Sequence, residues 1–126
     1  MTQKNEIYVC DICGNIVETL DDAKGELVCC GQPMTLQKAN TIDASHEKHV
    51  PVVTKEGNRI KVKIGSIPHP MQPEHFIQWI ELIQGSKVKR TELKPGDLPE
   101  AEFCVDENDF IVRAYCNLHG LWANQE

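Results

Sequence analysis

The residues able to do chemistry in this chain fall into two groups. Cys10, Cys13, Cys29 and Cys30 all lie within the first 36 positions. His49, His69, His75 and His119 lie beyond them, with Cys116 three residues ahead of His119. Four sulfurs complete a tetrahedral metal site. Four imidazoles with one thiolate suit a larger coordination geometry that leaves a position open. The first set is suited to holding a metal, and the second to using one.

Cys-x-x-Cys followed by the vicinal pair Cys29-Cys30 points to a tetrathiolate. A redox-active Cys-x-x-Cys or a vicinal disulfide are the competing readings. The segment lacks the helix that lowers a thiol pKa in thioredoxin-type sites, so metal is favoured over both. Adjacent side chains point apart along an extended backbone, so the vicinal pair needs distorted angles to place both sulfurs on one ion. Gly14 and Gly31 follow the two pairs and permit positive φ there. Iron and zinc both accept four thiolates, and spacing does not choose between them.

Each histidine taken alone reads as a surface or hydrogen-bonded side chain. Together they read differently. His69 sits in Pro68-His69-Pro70, Pro73 precedes Glu74-His75, and His49 leads into Pro51. Proline fixes φ, so these are stiff loops that present imidazoles. Cys116-Asn117-Leu118-His119-Gly120 adds a Cys-x-x-His step, and the set reads as one shared metal site. His46 reads as solvated. Lys48, beside His49, reads as a surface lysine, with the steering of an anion as its functional alternative. Cys104 reads as a small buried apolar residue, and Trp79, Trp122, Phe103 and Phe110 as core.

These residues need a scaffold, and the pattern is all-β. Arg59–Ile64 alternates strictly, with Ile60, Val62 and Ile64 on one face and three cations on the other. Ile7-Tyr8-Val9, Glu26-Leu27-Val28, Pro51-Val52-Val53, residues 101–105 and residues 110–115 are further strand candidates. Glu56-Gly57-Asn58, Gln84-Gly85-Ser86 and Lys94-Pro95-Gly96-Asp97 supply turns. Residues 75–83 fit a helical stripe or a strand, and the strand-rich surroundings favour the strand. Short strands at these intervals predict a sandwich. The expected division is a metal-stapled module over 1–37, a connector over 38–42 and a sandwich over 43–126. A piece of under ~40 residues rarely folds without such a staple.

The net charge is −6, of which residues 1–37 carry −4, from six acidic and two basic side chains. An acidic chain with no Arg/Lys stripe is a poor candidate for nucleic-acid binding. No stretch has membrane-spanning length and the start lacks a signal-peptide run, so the cytoplasm is the expected compartment.

Seven blocks now carry a resemblance: Cys10-Asp11-Ile12-Cys13-Gly14-Asn15-Ile16-Val17-Glu18, Glu26-Leu27-Val28-Cys29-Cys30, Glu47-Lys48-His49-Val50-Pro51-Val52, His69-Pro70-Met71, Ile77-Gln78-Trp79-Ile80-Glu81-Leu82, Leu93-Lys94-Pro95-Gly96 and Tyr115-Cys116-Asn117-Leu118-His119-Gly120. The chain resembles desulfoferrodoxin, the two-iron form of superoxide reductase, over almost its whole length. The resemblance implies a desulforedoxin-like module with iron on Cys10, Cys13, Cys29 and Cys30, followed by an immunoglobulin-like β-sandwich. It implies a second mononuclear non-haem iron with His49, His69, His75 and His119 as equatorial ligands and Cys116 as axial thiolate. Glu47 matches the carboxylate able to take the sixth position, and Lys48 the lysine that attracts superoxide and assists protonation. The implied activity is one-electron reduction of superoxide to hydrogen peroxide. A rubredoxin-like electron donor and a homodimer are implied with it. A pure electron carrier and a zinc-stabilised binding module are the rival readings. The carrier gains nothing from an open position, and the binding module leaves the second ligand set idle.

Overall fold

The computed structural model describes residues 1–41, 49–106 and 109–125, and these form strands and turns with no helix among them. The all-β expectation is borne out. The chain divides into two compact units, Met1–Lys38 and Ala39–Glu126.

The first unit has five short strands. β1 (Ile7–Val9) lies between β2 (Ile16–Glu18) and β5 (Thr35–Gln37), antiparallel to both. β3 (Val28–Cys29) and β4 (Gln32–Pro33) make a two-stranded ribbon. Ile7, Tyr8 and Cys10 are the unit's buried apolar residues. So small a core supplies little hydrophobic stabilisation, as expected for a unit that relies on a metal.

The second unit is a two-sheet sandwich. One sheet has the order β10-β7-β6 and the other β12-β11-β8-β9. The strands are β6 (Pro51–Glu56), β7 (Arg59–Ile64), β8 (Ile77–Gln84), β9 (Lys87–Glu92), β10 (Glu100–Cys104), β11 (Ile111–Cys116) and β12 (Gly120–Ala123). The alternation in β7 has the predicted outcome: Ile60, Val62 and Ile64 are buried and Arg59, Lys61 and Lys63 are exposed. They pack with Ile80 and Leu82 of β8, Ala101 and Phe103 of β10, and Val112 and Ala114 of β11. The ambiguous segment is strand β8, because its Ile80 and Leu82 enter this core at strand spacing. Gly57 and Gly85, at φ 61° and 59°, occupy the tight turns of the β6–β7 and β8–β9 hairpins.

Two expectations need correction. Cys104 is exposed, not buried: Ala101 and Phe103 take the inward positions of β10, so pleating turns Cys104 outward. Trp79 is only partly buried and lies on the face of β8 away from the core, stacked on Tyr115 with centroids 5.8 Å apart. Trp122 is buried, as expected, and stacks on a histidine.

The same outward face of β8 holds Glu81, fully buried. Arg113 of β11 bonds it through Nε at 3.0 Å and also through Nη2, while Arg90 of β9 bonds its other oxygen at 3.2 Å. A buried carboxylate needs such partners, since desolvation otherwise costs several kcal/mol.

Candidate metal centres

In the first unit the four sulfurs of Cys10, Cys13, Cys29 and Cys30 lie within 4.8 Å of one another. Cys13 Sγ is 3.6 Å from Cys29 Sγ, and Cys29 Sγ is 4.0 Å from Cys30 Sγ. Sulfurs ~2.3 Å from a shared tetrahedral ion sit ~3.8 Å apart, so the set has the right size for one ion. The vicinal-disulfide reading does not fit a 4.0 Å separation, and all six cysteines are free.

The first pair is shaped by backbone. Gly14, at φ 82°, turns the chain back, its N–H donating to the Cys10 carbonyl at 2.9 Å, while the Cys13 N–H points at Cys10 Sγ at 3.5 Å. Donors from Cys13 and Ile12 hold the Cys10 thiol down to about 6, outweighing burial, which acts the other way. The second pair solves its geometry on the cysteine itself: Cys30 has φ 53°, followed by Gly31 at 77°. A left-handed non-glycine residue is uncommon, and here it swings two neighbouring side chains to one side. Cys30 is pushed up to about 12 by hydrogen bonding with Cys13, then Cys10 and Cys29, and Cys29 is also raised. Asn15 Nδ2 donates to Cys29 Sγ at 3.6 Å.

The second group gathers at one end of the sandwich. His49 precedes β6, His69 and His75 lie in the β7–β8 connection, Cys116 ends β11 and His119 lies in the turn to β12. Register puts these strand ends together: Pro51 pairs with Ile64, and Cys116 with both Ile77 and Gly120. A register irregularity between Tyr115 and Cys116 re-aims the end of β11.

The four imidazoles close a ring. His49–His69, His69–His75, His75–His119 and His119–His49 have centroids 4.6, 4.8, 5.1 and 4.9 Å apart, each pair edge to face. Cys116 Sγ is 3.6 Å from His69 Nε2 and 3.8 Å from His119 Nδ1, which are opposite corners. The sulfur therefore lies near the axis of the ring. His119 Nδ1 and His49 Nε2 are 3.2 Å apart, against ~3.0 Å for neighbouring nitrogens at right angles on one ion. His119 faces inward through Nδ1 because it is only three residues from Cys116 and has little chain to reach with. His69 Nδ1 meets the Pro70 carbonyl oxygen at 2.7 Å, which leaves its Nε2 for the centre. No sixth donor joins the five among the described residues.

Trp122 stacks on His49 at 4.5 Å and 14°, and its Nε1–H donates to the His119 carbonyl at 3.1 Å. Sequence reasoning placed it in the core without this second role, and a tryptophan three residues after a histidine of the group was the available signal. Glu47 and Lys48, together with His46, lie outside the described residues.

A closed tetrathiolate and a four-imidazole, one-thiolate centre on an all-β scaffold define a two-centre non-haem metalloprotein. The family model for desulfoferrodoxin matches residues 41–125, and that for the desulfoferrodoxin N-terminal domain matches residues 2–37. The chain is 56% identical to a desulfoferrodoxin from Syntrophotalea carbinolica over 99% of each chain, and 57% identical to a desulfoferrodoxin homolog from Methanothermobacter thermautotrophicus over 97% of this chain and 99% of that one. Among solved structures it is similar to the superoxide reductase from Treponema pallidum, with TM-score 0.78, 29% identity and coverage of 98% and 100%. The chain belongs to the desulfoferrodoxin family. Its four-cysteine group and its group of four histidines with Cys116 fit two mononuclear non-haem iron ions. No helix among the described residues is long and apolar enough to cross a membrane.

Proposed function

We propose that this chain is a superoxide reductase: superoxide, one electron and two protons give hydrogen peroxide at the imidazole–thiolate centre. The observation that carries the reading is the closed ring of four imidazoles with Cys116 on its axis. When bound, ferrous iron supplies the single electron. His49, His69, His75 and His119 would hold that ion, and Cys116 would supply a thiolate, an anionic donor that raises electron density at iron.

Lys48 draws the small anion toward the centre and assists protonation of the product, and Glu47 would offer that centre a carboxylate when substrate is absent. Cys10, Cys13, Cys29 and Cys30 would hold the other iron with a closed set of four donors, suited to electron transfer rather than to binding substrate. A rubredoxin-like protein supplies those electrons, and the working form is a homodimer. The cytoplasm is the working compartment, in keeping with six free cysteines.

Pulse-generated superoxide tests the reading on the reduced two-iron protein. Peroxide should form without release of dioxygen, at a rate near the diffusion limit. Lys48→Ala should slow that step by roughly tenfold at low ionic strength and flatten its salt dependence. Equal yields of dioxygen and peroxide would make the protein a dismutase. No reaction at all would favour the electron carrier.

A further inference from the structure

His49 and His69 are buried and held by packing, whereas His75 is only partly buried and sits in a loop. His75 and Gln72 exchange backbone hydrogen bonds at 3.0 and 2.9 Å. That exchange closes the loop on itself but does not join it to the sandwich. Asn117 ties the residues on either side of His75 to the end of β11. Its Oδ1 accepts from the Phe76 N–H at 2.9 Å, and its Nδ2 donates to the Glu74 carbonyl at 3.1 Å. Its own backbone N–H donates to the Phe76 carbonyl at 3.2 Å. One planar amide thus straddles His75, gripping the residue before it and the residue after it. Asn117 stands between Cys116 and His119, so the grip spans two separate ligand-bearing loops.

We infer that Asn117 is a positioning residue, which sets His75 against Cys116 and His119 so that the ring of imidazoles is formed ahead of the metal. The task needs an acceptor and a donor on one rigid group. Asparagine has both, aspartate only the acceptor, and leucine neither at similar size. Partners that orient ligands typically change metal affinity by ~10–100-fold when lost. The inference rests on reading the five-donor group as a metal centre.

Asn117→Leu and Asn117→Asp, made in the full chain, test it through two readouts. The first, hydrogen exchange of the Phe76 amide, needs no metal: it should be protected in the parent and in Asn117→Asp, and unprotected in Asn117→Leu. The second is release of cobalt(II) from each centre to a chelator. Release from the imidazole–thiolate centre should quicken by ~10–100-fold in Asn117→Leu and by less in Asn117→Asp. The thiolate-to-cobalt absorption of that centre should shift, while release from the tetrathiolate centre stays unchanged.

Unchanged release and absorption in Asn117→Leu would overturn the inference, as would unchanged Phe76 exchange. Equal acceleration at both centres would show general loosening and overturn it too. Should Asn117→Leu fail to fold, parent-like release in Asn117→Asp is the overturning result. If the parent binds no cobalt at the imidazole–thiolate group, the metal reading itself fails, and Phe76 exchange still reports separately on the grip.

Discussion

Trp122 lies flat on His49, its ring centroid 4.5 Å away and the planes 14° from parallel. The same indole donates its Nε1–H to the His119 carbonyl at 3.1 Å, so one side chain braces two neighbouring corners of the imidazole ring.

Removing that brace should loosen the centre in steps. Aromatic stacking is worth ~1 kcal/mol beyond burial. Trp122→Phe keeps the stack and loses the hydrogen bond, whereas Trp122→Leu loses both. Iron release to a chelator should quicken a few-fold in the first and by ~10-fold or more in the second. Equal rates in both variants would assign the brace to the hydrogen bond alone.

The two centres should be separable. The first unit's sulfurs and the second unit's five donors come from different parts of the chain. Cys13→Ser should erase the tetrathiolate iron absorption and leave superoxide reduction within about twofold when electrons come from a chemical reductant. Cys116→Ser should do the reverse, removing thiolate absorption from the other iron and stopping turnover. Iron analysis and stopped-flow spectra of both variants check this.

Acid should weaken metal capture by the sulfur centre. In the metal-free unit at neutral pH, Cys10, held down to about 6, is the thiolate, while Cys30, pushed up to about 12, keeps its proton. Capture expels that proton, so apparent affinity rises with pH between those two values. Below about 6 Cys10 is protonated as well, and the fall steepens. Cobalt titrations at pH ~5.5, ~7 and ~8.5 should show this order, and a flat affinity would count against it.

The buried carboxylate on the sandwich gives a stability prediction. Glu81→Ala leaves the guanidinium of Arg113 buried without its carboxylate and should cost ~3–5 kcal/mol in urea unfolding. Arg90→Ala removes a partner whose side chain is 40% exposed, and should cost under ~1 kcal/mol. Comparable losses would mean that Arg90 shares the buried charge more equally than its exposure indicates.

Local chemistry explains which features were legible in the sequence. Residues 59–64 declare both strand and inward face, because period-two patterning is the direct signature of a half-buried strand. Gly14 and Gly31 announce their turns, and both have positive φ. β9 and β12 passed unread. Lys87–Glu92 is charged along an edge with no apolar rhythm, and Gly120–Ala123 is too short to show one. Glu81 misleads for a different reason: a carboxylate in a strand suggests solvent until the cross-strand neighbours are known, and Arg113 lies 32 residues away. The members of each donor group could be named from type and spacing, but their arrangement could not. That His119 turns Nδ1 inward, that Cys116 lies on the ring axis and that Asn117 clasps the residues flanking His75 all depend on which loops meet.

The ring of imidazoles also has a history in time. His49 and His119, whose nitrogens face each other at 3.2 Å, are 70 residues apart along the chain, whereas the four cysteines of the first unit fall within 21. Contacts of long sequence separation form late, after loop closure has been overcome. The sulfur cage can therefore mature while the rest of the chain is still folding, but the imidazole–thiolate centre can assemble only when β6, β8, β11 and β12 have found one another. A metal taken up there would join strand ends already brought together, tying off that end of the sandwich like a drawstring.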